Sequence, residues 1–179
     1  MSTPAHSYVQ SRRLFLVPAT RELTQADLDG RAALAESLAC AVPENWPPQH
    51  YSRPAVEWVL GRLDHGQARG WHTWYLLLRQ APLELAGVCG FKGRPDAQGS
   101  VEISYALLPQ FHRRGLATEA VNRLVEWAFT HPQITEVCAE TLPSLVPSIR
   151  VLQKCGFTRT GPGSEAGVIR YALSRQRRY

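Results

Sequence analysis

The sequence predicts an α+β domain built on a mostly antiparallel sheet, parallel only where one long helix links two strands. Three observations predict it. Apolar residues recur at helical spacing in two early stretches and again after Gly115. Between those regions, from His72 to Leu107, three strand-like runs are separated only by short turn-rich segments, so antiparallel hairpins are the natural connection. One strand, Ser100 to Leu107, then feeds a long helix and a further strand, the order that makes a parallel pair.

Each element follows from its residues. Leu14-Phe15-Leu16-Val17, ended by Pro18, reads as an opening strand. From Thr20 to about Cys40 the residues Leu23, Ala26, Leu28, Ala32, Ala33, Leu34 and Leu38 predict a helix, with Thr24 and Asp27 spaced as a capping box. Pro43, Pro47 and Pro48 break it around Trp46, and a second helix is predicted from Arg53 to Ala68, with Pro54 in its first turn. Strands follow at His72 to Leu78, Leu83 to Phe91 and Ser100 to Leu107. After Gly115, Leu116, Ala120, Leu124 and Ala128 form one helical row, and Ala117, Val121 and Val125 the next. Thr135 to Leu142 reads as a strand, Ser148 to Lys154 as a short helix and Val168 to Leu173 as a last strand. No linker divides the chain. The expected organisation is an N-terminal tail at 1–11, one domain at 12–174 and a basic tail at 175–179.

Composition narrows the class. With 44% hydrophobic and 20% charged residues, 179 residues suit one soluble globular domain. No apolar run reaches the roughly 20 residues of a bilayer span, and the opening residues lack an apolar signal core, which predicts a cytoplasmic protein without membrane contact. Cys40, Cys89, Cys138 and Cys155 have no Cys-x-x-Cys spacing and read as free thiols in a reducing compartment, with no metal site expected. The net charge of +5 favours an anionic partner only loosely, since part of it lies in Arg175, Arg177 and Arg178, where a solvated tail is expected before nucleic-acid contact.

The informative segment is Val101-Glu102-Ile103-Ser104-Tyr105-Ala106-Leu107-Leu108-Pro109 running into Gln110-Phe111-His112-Arg113-Arg114-Gly115-Leu116-Ala117-Thr118. A strand that ends at a helix start leaves backbone N–H groups unpaired and pointing into one small volume. Those donors and the positive end of the helix dipole make an anion site. Gly115 permits close backbone approach, and Arg113 and Arg114 add charge. A diphosphate-bearing guest fits this site, although an ordinary tight turn has the same spacing. The Walker and dinucleotide glycine signatures, the Gly-x-Ser-x-Gly elbow and the His-Glu-x-x-His helix are all absent from the sequence.

Glu102 to Leu107 followed by Arg113-Arg114-Gly115-Leu116-Ala117-Thr118-Glu119-Ala120 resembles the acyl-CoA-binding motif of the GNAT superfamily of N-acetyltransferases. Ser148-Ile149-Arg150-Val151-Leu152-Gln153-Lys154-Cys155-Gly156-Phe157 is similar to that family's later helix and glycine-phenylalanine turn. The subgroup containing the ribosomal-protein alanine acetyltransferases is the nearest in pattern. The resemblance implies a three-layer fold with a splayed, mostly antiparallel mixed sheet flanked by helices and acetyl-CoA in the cleft. It implies that the pantetheine arm pairs with the backbone of Ala106, Leu107 and Leu108, and that the diphosphate sits on the segment His112, Arg113, Arg114, Gly115, Leu116, Ala117 and Thr118. The expected reaction is direct attack of an amine, from a peptide N-terminus or a small molecule, on the thioester; homodimers are common among similar proteins.

Two side chains are candidates for catalysis. Glu102 is the candidate base, or else a solvated or paired strand carboxylate. An α-amine with pKa about 8 lies only about one unit from neutral pH, whereas a lysine lies about 3.4 units away, so a modest carboxylate suits the α-amine better. The resemblance makes Ser148 a candidate proton donor to the departing thiolate; its place after Pro147 also suits a helix N-cap. Cys155, beside Gly156, reads as core. Trp46, Trp71 and Trp74 line an acceptor pocket or belong to the core. The sequence departs from the family pattern at His112, where glutamine or arginine is usual, at Leu145, where asparagine is frequent, and at Leu152, where many relatives have a tyrosine acid. Two rival readings remain: an acyl-CoA-binding sensor without transfer, and a basic ribosome- or RNA-docking protein working through its arginine tail.

Overall fold

Gly30 divides what the apolar spacing predicts as one early helix. In the computed structural model, which describes residues 3–63 and 69–177, Gly30 adopts φ 123° and ψ 176° between α1 (Arg21–Asp29) and α2 (Arg31–Leu38). No side chain follows that path readily. The expected capping box does not form either. Thr20 caps α1, its hydroxyl accepting from Leu23 N–H at 3.2 Å, while Thr24 donates back to Thr20 O. Asp27 is instead a half-buried hub that accepts from Trp46 Nε1 (2.8 Å), Tyr51 OH (2.9 Å) and Tyr75 OH (3.0 Å). Burial pushes its carboxyl up, against those three hydrogen bonds. The third helix, α3 (Arg53–Arg62), begins with Pro54 in its first turn as expected; the predicted stretch 64–68 lies outside the described residues.

The strands are β1 (Val9–Gln10), β2 (Leu14–Pro18), β3 (Thr73–Leu78), β4 (Glu84–Phe91), β5 (Ser100–Leu107), β6 (Glu136–Thr141), β7 (Thr158–Pro162) and β8 (Ile169–Ser174). They lie in the order β1-β2-β3-β4-β5-β6-β8-β7, antiparallel throughout except for β5 with β6. Val9 and Gln10 already pair with Leu16 and Phe15, so the sheet starts inside the expected N-terminal tail.

Strand alternation assigns the faces. Trp74 packs on Trp127 of α4 (Leu116–Phe129), while its neighbour Tyr75 reaches Asp27 of α1. The predicted rows of α4 are buried as Leu116, Ala120, Val121, Leu124, Val125 and Ala128. The last helix, α5 (Val146–Lys154), packs against α4 and β6. Trp46, Trp71 and Trp74 all belong to the core, as does Cys155; among the described residues no disulfide joins the four cysteines.

Arg175 differs from the expected solvated tail. Its guanidinium donates to Phe129 O (2.7 Å), His131 O (2.6 Å) and Ile134 O (2.8 Å), closing the end of α4, where a cation also suits the helix dipole. Arg177 donates to Thr158 Oγ1 at 2.9 Å. These two arginines are engaged in the fold, which weakens the reading of the tail as an RNA-docking element. Among the described residues no helix is long and apolar enough to cross a membrane.

Candidate active site

The residues after β5 turn sharply before α4 begins. Pro109–Phe111 makes one 3-10 turn, with Phe111 N–H donating to Leu108 O (3.0 Å) and His112 N–H to Pro109 O (3.1 Å). The chain then passes through two left-handed residues, Arg113 (φ 59°) and Gly115 (φ 75°). A left-handed arginine is uncommon, and strain of this sort gathers at functional sites. Gly115 is the N-cap of α4 and offers no side-chain cap. The amides of Leu116, Ala117 and Thr118 therefore open the helix without an intrahelical acceptor. His112, Arg113, Arg114 and Gly115 are exposed around them, so the geometry is that of an anion site.

A carboxylate from α4 braces this turn. Arg13 Nη1 donates to Arg114 O (2.8 Å), and Arg13 Nε pairs with Glu119 Oε2 (2.7 Å). Ser11 OH and Arg13 N–H donate to Glu119 Oε1 at 2.7 and 2.6 Å. Burial acts most strongly on Glu119, and upward; the hydrogen bonds from Ser11 and Arg13 together outweigh it and hold the carboxyl below its usual range. A carboxyl whose folded value is depressed stabilises the fold above its unfolded pKa, about 4.3, and loses that contribution as pH falls through the folded value. Glu119→Gln is expected to lower the melting temperature at pH 7 by a few degrees. The difference from wild type should shrink below about pH 4, as thermal melts across pH will read.

Beyond Glu102 the sheet opens. The β5–β6 pairing consists of Ser100↔Glu136, Val101↔Val137 and Glu102↔Cys138, after which β5 continues to Leu107 and β6 to Thr141 without pairing to each other. Lys92 N–H donates to Glu102 O (2.9 Å) and Leu108 N–H to Ala86 O (3.0 Å). By alternation, Ala106 and Leu108 turn their main-chain groups toward β4, and Tyr105 and Leu107 turn theirs into the gap. Of the three residues expected to meet a pantetheine arm, Leu107 thus has the outward main chain. The Leu107 carbonyl accepts from His112 Nε2 at 2.9 Å, which ties the turn to the strand. At Gly87, opposite, an added Cβ would lie 2.2 Å from Ala106 O, so β4 approaches β5 this closely only with glycine there.

On the α4 side of the gap two hydroxyls meet. Tyr105 OH lies 3.0 Å from Ser148 Oγ and donates to Ser148 O at 3.1 Å. Burial raises the Tyr105 phenol well above its ordinary value, more than the Ser148 contact lowers it, so it remains a protonated donor. Ser148 is not the N-cap that its sequence context suggests: Leu145 holds that place, without a side-chain bond, and α5 starts at Val146. Leu152 is fully buried.

Glu102 lies on the opposite sheet face, at the last paired rung, in a cleft of about 290 Å³ that also includes Lys92, Arg94, Cys138, Glu140 and Arg170. Lys92 Nζ stands 2.5 Å from Glu102 Oε1. Glu140 is held by Ser164, through N–H at 2.9 Å and OH at 2.6 Å, and Arg170 pairs with Glu136 at 2.7 Å. A larger cleft of about 390 Å³ lies behind the Glu119 brace and touches neither Glu102 nor Ser148. Among the described residues no group of three or more His, Cys, Asp or Glu is placed to hold a metal ion.

A family model described as an acetyltransferase (GNAT) domain matches residues 13–158. The chain belongs to the GNAT acetyltransferase family. Its GNAT sheet resembles that of the ribosomal-protein-S5-alanine acetyltransferase from Vibrio fischeri, with a TM-score of 0.64 over 94% of this chain and 96% of that one, at 16% identity. RimL, a ribosomal L7/L12 alpha-N-protein acetyltransferase solved in complex with coenzyme A, gives a TM-score of 0.65 over 94% and 98%, at 19% identity. At such identities the likeness speaks to the GNAT fold. In sequence, the uncharacterized N-acetyltransferase YjdG of Bacillus subtilis is 29% identical over 89 residues, 50% of this chain and 52% of the relative. The chain thus spans about half the length of that curated relative.

The sequence singles out Glu102, Ser148 and the turn, but not Lys92 and Tyr105, which stand against Glu102 and Ser148. For Lys92 a signal existed: an antiparallel hairpin between Leu83–Phe91 and Ser100–Leu107 can place it opposite Glu102 as a cross-strand charge pair. For Tyr105 there was none, since its partner is 43 residues away.

Proposed function

We propose that this protein is an N-acetyltransferase that moves the acetyl group of acetyl-CoA directly to a primary amine, on a peptide N-terminus or a small molecule. The observation that carries the reading is the open gap between β5 and β6, with the amide-lined turn at one end and Glu102 at the other. The diphosphate lies on the amides of the segment from Arg113 to Thr118 beside His112. The pantetheine arm runs along Ala106, Leu107 and Leu108, taking its main-chain bonds from the residues facing the gap. Its thioester then lies between the hydroxyl pair and the carboxylate.

Each group has a task set by its chemistry. Glu102 takes a proton from the acceptor ammonium, directly or through water; the freed nitrogen forms a C–N bond with the acetyl carbonyl as the C–S bond breaks, and its surplus proton leaves to water. Neither Tyr105 nor Ser148 readily gives up a proton for good. Their pair stabilises the departing thiolate by hydrogen bonding and hands on a proton from solvent, with Ser148 as the candidate donor. That division offsets the loss of a tyrosine at Leu152. Names of similar proteins, among them an N-acetyltransferase and a coenzyme A complex, support the class. The decisive experiment is a thiol-release screen with acetyl-CoA across small amines and peptides with free N-termini. Release with at least one α-amine is expected. Tight coenzyme binding without release on any amine would favour the sensor reading instead.

A further inference from the structure

We infer that Lys92 stands in for the acceptor's ammonium on Glu102, and that an acceptor binds by displacing it. The inference rests on the transfer reading above and names the subsite and the class of amine it takes. Three observations support it. First, a primary ammonium already occupies the candidate base, with Lys92 Nζ 2.5 Å from Glu102 Oε1, an oxygen that is itself shut off from solvent. Second, the occupant is free to leave. Its side chain is 56% exposed, against 25% for Glu102, and it hangs from the residue directly after β4, across the hairpin from its partner. Third, the residue type is selective. Only Lys92 and Lys154 among the 20 basic side chains are lysines. An arginine here would grip the carboxylate with a planar fork, unlike any primary amine and harder to displace.

The stand-in does not compete as a substrate. At pH 7 roughly one lysine in 2,500 is neutral, against about one α-amine in ten. An α-amine arriving on Glu102 therefore brings a far larger reactive fraction than an ordinary lysine-type amine does, and the site selects α-amines over lysine-like amines. Once displaced, the Lys92 ammonium lies beside Arg94 in the same cleft, where a carbonyl or carboxylate next to the acceptor amine would meet it.

Two measurements on the full chain test this. In steady-state assays with alanine amide, Lys92→Met should lower KM about two- to fivefold, the range of an exposed ion pair, with acetyl-CoA affinity unchanged, while Lys92→Arg should not lower it. In competitive labelling with an isotopic acetylating reagent, excess alanine amide should raise labelling of Lys92 relative to Lys154, which corrects for reagent consumption; Glu102→Gln should do the same without amine. An unchanged or raised KM in Lys92→Met, or a labelling ratio that ignores alanine amide, overturns the proposal. If alanine amide shifts the ratio but no amine yields free thiol, the ammonium subsite stands and the transfer reading falls.

Discussion

Gly115→Asp is expected to weaken acetyl-CoA binding by at least 100-fold, measured by calorimetry, with the far-ultraviolet circular dichroism of the fold retained. The reason is competition at one point. Gly115 is the N-cap of α4, and the amides of Leu116, Ala117 and Thr118 point out past it. A carboxylate there satisfies those donors itself, as aspartate does at many helix starts, and sets a fixed negative charge against an incoming diphosphate. Backbone strain contributes separately, because φ is 75° at this position. Gly115→Ala isolates that part: it should cost about 1–2 kcal/mol in stability through the left-handed conformation yet leave most of the coenzyme affinity. A Gly115→Asp variant that binds acetyl-CoA as wild type does would remove the turn from the site.

Glu102→Gln should lower kcat on an α-amine by about tenfold at pH 7, where only about one such amine in ten is neutral without help, with acetyl-CoA affinity little changed. The pH profile identifies the cause. Raising the pH to about 9 leaves most of an α-amine neutral in solution, so a base is no longer needed and the deficit should narrow toward wild type. A purely structural loss would persist at every pH. An undiminished kcat in Glu102→Gln at pH 7 would show that proton removal falls to water or to the substrate itself.

What could be read from the residues alone follows the range of the interaction. The rows of α4, the strand ends and the glycine turn are local patterns, and Leu116, Ala120 and Leu124 are buried as their spacing requires. Gly30 was visible too, yet the apolar rhythm runs on either side of it and hid the break between α1 and α2. Asp27 shows the limit more plainly. Its spacing from Thr24 suits a cap, but three aromatic donors 19, 24 and 48 residues away hold it as a half-buried hub instead. Within the site, Glu102 and Ser148 were found through motif resemblance, while the Tyr105–Ser148 contact depends on where α5 docks, which no local pattern encodes. Arg175 differs for the same reason: an arginine in a basic run reads as solvated, and only the fold brings the end of α4 to its guanidinium.

A sheet that parts in its middle has four borders where an unbroken one has two. Its outer borders can be guarded with charges or bulges, but on the proposed function the inner two must leave enough hydrogen-bonding groups open for a slender guest. Their best satisfied state would then be a filled seam, with the proposed coenzyme doing the work of a missing ninth strand. On this view the reactant is also masonry: cells rich in acetyl-CoA would hold more of this protein folded, by mass action alone.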